Sequence, residues 1–471
     1  MVFNSIPFVV FWFVVLLVIT LSTNYIKSIK VRNIALLCSN YTFYSFFSIK
    51  FTILLVYVTL INYISGLILT KLRNKAQQLI TLWISIILTI APLLFYKYAN
   101  FILSNIFYLA DKEFAGINII LPIGISFFTF QVLSYTIDIY RGKISPCTNI
   151  IEFGAFTSFF PTILSGPIER ARNLLPQLRK SIHLSIDGLI GGITLFCWGL
   201  FKKMVIADRL AQYIDWAYSS SSFVSGSTLL TAVFLYSFQI YCDFSGYSDM
   251  AIGVARTLGF DVMQNFKFPY FAHSIKEFWR RWHISLTSWF TEYVYFSLGG
   301  SRVKTTMRWV VNISLIFILS GIWHGAAWNF VIWGALHAIL YLIEYGLHLQ
   351  PQKEKSPWKY FKSIYVFIFV SIAWVFFRVE DISTAWLIIG KAFTEFNSSI
   401  ELGSSAFNTA ETFALFALFM LLEFLSFKGI LMRNNATHNP CALTNLLLIV
   451  GLLIGISLFG VSASQFVYFQ F

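Results

Sequence analysis

Charge is what this chain has least of. Of its 471 residues only 12% are charged while 57% are hydrophobic, whereas a soluble globular chain carries roughly 25% charged residues. So few charges cannot cover a water-exposed surface, which excludes an ordinary soluble enzyme. Cysteine is sparse too. Cys38, Cys147, Cys197, Cys242 and Cys441 are scattered without a CxxC pair or zinc spacing, so core thiols are expected, with no disulfide and no metal site. No GxGxxG loop, Walker sequence, GxSxG elbow or HExxH helix occurs in a credible context, which sets aside a soluble nucleotide-driven enzyme. The formal net charge of +13 is dispersed between apolar runs and forms no basic domain, so nucleic acid is not an expected partner. Lys and Arg at the cytoplasmic ends of membrane helices account for it.

Long uncharged runs are what the chain has instead. Ile6–Ile26, Phe51–Thr70, Ala76–Tyr96 and Phe114–Ile137 contain no Asp, Glu, Lys or Arg, and about 20 apolar residues suffice to cross a bilayer as a helix. In lipid the backbone must satisfy its own hydrogen bonds, and a barrel would show short alternating strands, so an all-α polytopic membrane protein is expected. The charge-free start, the basic loop Lys27, Lys30 and Arg32, the lone Lys50 and the basic Lys71, Arg73 and Lys75 alternate so as to put the N-terminus outside the cell membrane. Phe8–Ile26 lacks a basic n-region and a clear cleavage site, so it is expected to remain as the first span. Early helices are expected near 6–26, 33–49, 51–70 and 76–96. Pro122 and Gly124 should bend or start the next apolar run. The stretch Phe153–Arg172 is broken by Pro161, Gly166 and Pro167, which suits a short re-entrant helix or an interfacial turn.

Helices resume near 187–207, where Asp208 and Arg209 are expected to close the segment, and near 227–242. Charged and aromatic residues then crowd together from 243 to 308, too polar to cross lipid repeatedly. Several short helices at an interface or lining a funnel fit that composition. Within it, Lys276–Trp289 at helical spacing would place Trp279, His283 and Leu286 on one stripe. Trp309–Ile343 is again free of charge, long enough for two segments that break near Ser320, Gly321 and Gly325. A charged connection at Lys353–Lys362 and spans near 363–378, 409–427 and 442–461 bring the expected total to ten to twelve. Residues 1–471 read as a single integral membrane domain, with its motif-rich core at about 122–377.

Polar residues in the apolar parts carry the functional signal. His324 lies at membrane depth between Gly321 and Gly325, which permit close approach, and its near-neutral reference pKa suits proton transfer. His283, in RRWHIS, suits either an active-site rim or an interfacial helix, and Arg280 and Arg281 beside it can reach headgroups or anionic ligands. For His337 a helix-packing hydrogen bond is the favoured reading. Gln239, Asp243 and Asp249 occupy YSFQIYCDFSGYSDM, either as caps and packing contacts or as funnel residues; Asn329 could join a buried network. Glu169 and Arg170 read as a fold-stabilising pair.

Local strings then narrow the field. PIGISFFTFQVLSYTIDIYRG, FFPTILSGPIER, YCDFSGYSDMAIG, FPYFAHSIKEFWRRWHISLTSWF, YVYFSLGG, GIWHGAAWNFVIWGALHA and the terminal FVYFQF occur in order. With these the chain resembles the membrane-bound O-acyltransferase family, in its alginate-O-acetyltransferase-like bacterial branch. The resemblance implies a ring of membrane helices around thinner central ones, leaving a central funnel toward the histidine matching His324, with His283 as the second family histidine. It implies a thioester donor, acetyl-CoA or another acyl thioester, no permanently bound cofactor, and a separate extracytoplasmic or membrane-anchored acyltransferase that completes modification of an envelope polysaccharide in the bacterial cytoplasmic membrane. Ser297 stands where relatives commonly have proline. D-alanyl or peptidoglycan O-acyl transfer is the alternative acceptor chemistry; a transporter and a non-catalytic scaffold of an envelope complex are the rival classes.

Overall fold

The computed structural model describes residues 1–347, 358–395, 399–403, 409–430, 442–461 and 466–467. Cys441, much of the 353–362 connection and the last four residues of FVYFQF lie outside them. The described secondary structure is helical throughout. By internal contacts the chain forms two compact units, one of residues 1–196 with 248–264, the other of 197–247 with 265–471.

The first unit begins with α1 (Ile6–Thr20), α2 (Ile29–Ser45), α3 (Ile49–Lys71), α4 (Lys75–Leu93) and α5 (Ala99–Leu109). Their starts are set by small polar caps: Ser5, Ser28, Ser48 and Asn74 each accept a first-turn backbone N–H. Pro92 near the end of α4 removes a helical donor, and a π-turn at Leu94–Tyr98 follows at once. Next, α6 (Ile125–Tyr140) is buried on nearly every side, as expected of a helix without a polar face. It starts at Gly124, whose φ of 79° is left-handed and whose absent Cβ would lie 2.5 Å from the Ile163 carbonyl oxygen. The expected start at Pro122 and Gly124 is therefore observed, and the uncharged run before it is not helical.

The broken 153–172 stretch contains the end of α7 (Ile150–Thr157), a buried non-helical turn and the start of α8 (Ala171–Leu178). In that turn Glu169 accepts from the Met263 N–H and from Asn173 Nδ2 at 2.8 Å, while Arg170 donates to the Ile168 carbonyl at 2.9 Å.

The second unit takes the end of α9 (Ile186–Phe201), then α10 (Asp208–Ser219) and most of α11 (Gly226–Thr257). Asp208 does not end its segment. A π-turn at Lys202–Ala207 joins α9 to α10, and Lys203 lies 2.8 Å from Asp208 and 2.6 Å from Asp243. A buried charge paired this way is tolerated where a lone one would break the run. Likewise α11 does not stop near 242 but continues to Thr257. Beyond it come α12 (Ile275–Arg281), α13 (Ile284–Phe290), α14 (Thr306–His324), α15 (Trp328–Gly346), α16 (Trp358–Arg378), α17 (Ile382–Thr394), α18 (Thr409–Phe427) and α19 (Ala442–Phe459). The expected short helices are present, but α12 and α13 are separate, so Trp279, His283 and Leu286 share no helical stripe.

Among the described residues seven helical segments are long and apolar enough to cross a membrane: 6–25, 49–71, 75–109, 186–219, 306–324, 361–378 and 410–427. Ten to twelve were expected. The difference lies in expected spans that form shorter helices, such as α2 of 17 residues, which also buries Arg32, Asn33 and Asn40, and α6 of 16. Large apolar side chains including Phe13, Ile53, Trp83 and Ile87 are exposed on the spans, which suits contact with lipid rather than water.

Candidate active site

Two helices pressed backbone to backbone hold His324. A Cβ on Gly321 of α14 would lie 2.1 Å from the Phe330 carbonyl oxygen, and one on Gly334 of α15 would lie 2.4 Å from the Phe317 carbonyl oxygen. Small residues are what such close approach needs when lipid supplies no hydrophobic drive. Gly325, extended at φ −159°, ends α14, and its missing Cβ makes room for the Phe330 ring. His324 is thereby the last helical residue, 3% exposed. Its ring centroid lies 4.9 Å from that of Trp323, 5.1 Å from Trp333 and 5.1 Å from Phe377.

His283 occupies the joint between α12 and α13 with φ 43° and ψ 53°. It is fully buried, 4.7 Å from the Phe244 ring and 5.7 Å from Trp323. Burial holds its pKa down to about 3, so the imidazole is neutral. The rings of His283 and His324 are 6.2 Å apart. The two histidines singled out in the sequence thus meet, enclosed by aromatic walls.

The other candidates divide. Asp243 accepts from Lys203 and, at 2.8 Å, from the Val467 N–H, which makes it part of a buried ion network. Arg281 pairs with Glu277 at 2.6 Å and donates to the Phe268 carbonyl. Asn329 donates to the Val379 carbonyl just past α16, so it ties two helix ends together. Gln239 is buried. Asp249 lies six residues beyond Asp243 on α11 and belongs to the first unit. His337 departs from expectation: among the described residues neither ring nitrogen has a hydrogen-bond partner. Its ring instead packs 4.9 Å from Trp333 and 5.0 Å from Trp279. At Ser297 the hydroxyl bonds the Tyr293 carbonyl at 2.7 Å, extending the turn after α13.

Arg280 opens onto a feature that sequence reading missed. A cavity of about 590 Å³ lies between α12, α13, α14 and α15, with Lys276, Arg280 and Lys304 along its lining. On α14 its wall is Thr306, Trp309, Ile313, Ile316, Phe317 and Ser320. That spacing of three and four is one face of a helix, and His324 is the next residue on it, about 6 Å beyond Ser320 along the axis. Arg280 and Lys304 are exposed, whereas Ser320 is buried. The groove therefore has an exposed basic mouth and a buried end at Ser320, one helical turn short of His324. The visible signal was the basic cluster Arg302, Lys304 and Arg308 at the head of an uncharged helix. A second, apolar cavity of about 720 Å³ is lined by phenylalanines of α11, α16 and α18, and there the Tyr241 hydroxyl donates to Glu423.

Among the described residues no three His, Cys, Asp or Glu side chains are grouped to hold a metal ion. The sequence profile of the membrane-bound O-acyltransferase family matches residues 36–382. The probable alginate O-acetylase AlgI of Azotobacter vinelandii is 39% identical, over 79% of this chain and 74% of the relative. That of Pseudomonas aeruginosa is 36% identical over 94% and 85%. The peptidoglycan O-acetyltransferase of Helicobacter pylori is 31% identical over 95% and 93%.

Proposed function

The chain belongs to the membrane-bound O-acyltransferase family, and from that membership we propose that it moves acetyl groups from a thioester to hydroxyls of an extracytoplasmic polysaccharide in the bacterial cytoplasmic membrane. Relatives bearing the name alginate O-acetylase support the acetyl group and the polysaccharide acceptor. The observation that carries the reading is the groove whose α14 face reaches Ser320, one helical turn before His324. Its basic mouth lies beside Arg302, Lys304 and Arg308, and the bias of positive charge puts that end in the cytoplasm. Acetyl-CoA enters there, its phosphates against Lys276, Arg280 and Lys304, and its thioester reaches toward His324.

His324 acts as general base. The acceptor hydroxyl gives its proton to the neutral imidazole as its oxygen attacks the acetyl carbonyl carbon; the carbon–sulfur bond breaks and the thiolate takes the proton back. His283, also neutral, steadies the acceptor oxygen opposite. Aromatic walls keep water from the thioester. The hydroxyl acetylated at His324 is an intermediate acceptor, and a separate extracytoplasmic transferase moves the acetyl group from that ester to a hydroxyl of the polymer, releasing the first hydroxyl for another cycle. Helices α2, α11, α15 and α19 add to the seven long segments to bring the crossings to the expected ten to twelve, around a funnel leading to His324, with residues 1–471 acting as one domain. Labelling of single cysteines in the connecting loops from each side of the membrane counts the crossings.

The test is chemical. Envelope glycans from cells carrying the parent chain are expected to hold base-labile acetyl esters, and glycans from cells with an inserted, folded His324→Ala chain are expected to lack them. Equal ester content in the two would contradict the assignment. Uptake of an intact solute without thioester consumption would mark a transporter instead.

A further inference from the structure

His283 is held in the left-handed backbone region, which is unfavourable for a residue bearing a Cβ and persists only where neighbours impose it. The contacts that impose it come from one short stretch. Before the histidine, the Lys267 N–H donates to the Arg281 carbonyl at 2.9 Å; after it, the Ile284 N–H donates to the Asn265 carbonyl at 2.9 Å. These two bonds straddle Trp282 and His283. Asn265 adds its side chain, whose Oδ1 accepts from the Ser285 hydroxyl at 2.6 Å and from the Ser285 N–H at 3.3 Å.

The side-chain bonds matter because of what His283 does not do. It stands in the N-cap position of α13 without a side-chain capping bond, although the first N–H groups of any helix need acceptors. Asn265, fully buried, supplies that acceptor from another part of the chain. The histidine ring is thereby released from capping its own helix and lies toward Trp323 and His324.

We propose that Asn265 is the positioning residue for His283: it caps α13 from outside and locks the left-handed joint, which fixes the second imidazole opposite His324. This rests on the reading of His283 as part of the transfer site. Asn265→Ala keeps both backbone bonds but removes Oδ1, leaving the first turn of α13 short of an acceptor in a buried place. The joint then relaxes toward ordinary helical angles and the ring moves, and a shift of about 1 Å at a reacting centre costs on the order of 100-fold in rate.

The experiment is acetyl transfer by the purified full chain in lipid vesicles with labelled acetyl-CoA. Asn265→Ala is expected to lower kcat roughly 10- to 100-fold and to leave the KM for acetyl-CoA within about twofold, since the groove mouth is untouched. Asn265→Asp, which retains an acceptor oxygen at the same reach, is expected to recover most of the rate. A folded Asn265→Ala chain with parental kcat overturns the proposal, as does a loss shared by kcat and KM that the aspartate does not rescue. Should Asn265→Ala fail to fold, Ser285→Ala, which removes one donor to Oδ1, is expected to lower kcat about threefold at unchanged KM; parental kcat there overturns the proposal as well. His283→Asn is assayed alongside. Full activity in that chain defeats the reading of His283 itself, whereas an inactive His283→Asn with an active Asn265→Ala defeats only the role of Asn265.

Discussion

Glu169 is fully buried in the turn before α8, where its carboxylate accepts from the Met263 N–H and from Asn173. Desolvation outweighs those bonds and raises its pKa to about 7. Between the ordinary carboxylate range near 4.5 and about 7, the folded chain binds a proton that the unfolded chain releases. Stability is therefore greatest at the acid end of that window and falls as pH rises through it, by about 3 kcal/mol in all, flattening above 7. Glu169→Gln is expected to abolish that slope when thermal unfolding is followed in detergent from pH 5 to 8. An unchanged slope would place the titration elsewhere. Other single residues were legible to different depths. His324 could be found from its glycine flanks and uncharged surroundings, because both reflect local sequence. The joint at His283 could not, because Asn265, eighteen residues upstream, imposes it. His337 misled for a related reason: composition suggests a hydrogen bond, but the rings of Trp279 and Trp333 occupy its surroundings.

Helices α14 and α15 stand or fall on their glycines. Gly321→Ala forces a Cβ against the Phe330 carbonyl, and overpacking of this kind costs about 1–3 kcal/mol. Its unfolding midpoint is expected to drop together with acetyl transfer, since α14 carries His324. Gly346→Ala, near the far end of α15 with nothing within 4 Å of the new Cβ, serves as the control and should leave both unchanged. Parental stability and rate in Gly321→Ala would show that the two helices can separate without harm. Element boundaries were readable where apolar runs and caps coincide, as at Ser5 and Ser48. They were misread where long-range pairing overrides local polarity. Asp208 and Arg209 looked like the end of a helical segment, but the helical run continues through them, where Asp208 pairs with Lys203, itself joined to Asp243.

Across the molecule, a membrane fold was readable from composition alone, and the resemblance of the central motifs led to the family. The groove was hidden because its wall is assembled from four helices. If Lys276, Arg280 and Lys304 receive the donor phosphates, replacing all three by Gln should raise the KM for acetyl-CoA roughly tenfold while kcat stays within about twofold. The parent's KM should in turn rise with salt more steeply than the variant's. A fall in kcat at unchanged KM would assign these residues to something other than donor entry. The most direct measurement is the rate at which purified, vesicle-inserted chain transfers labelled acetyl from acetyl-CoA, parent against His324→Ala and His324→Gln. Loss of the general base is expected to lower it about 100-fold or more in both variants, with unfolding midpoints unchanged. Parental transfer by either folded variant would contradict the placing of the chemistry at His324.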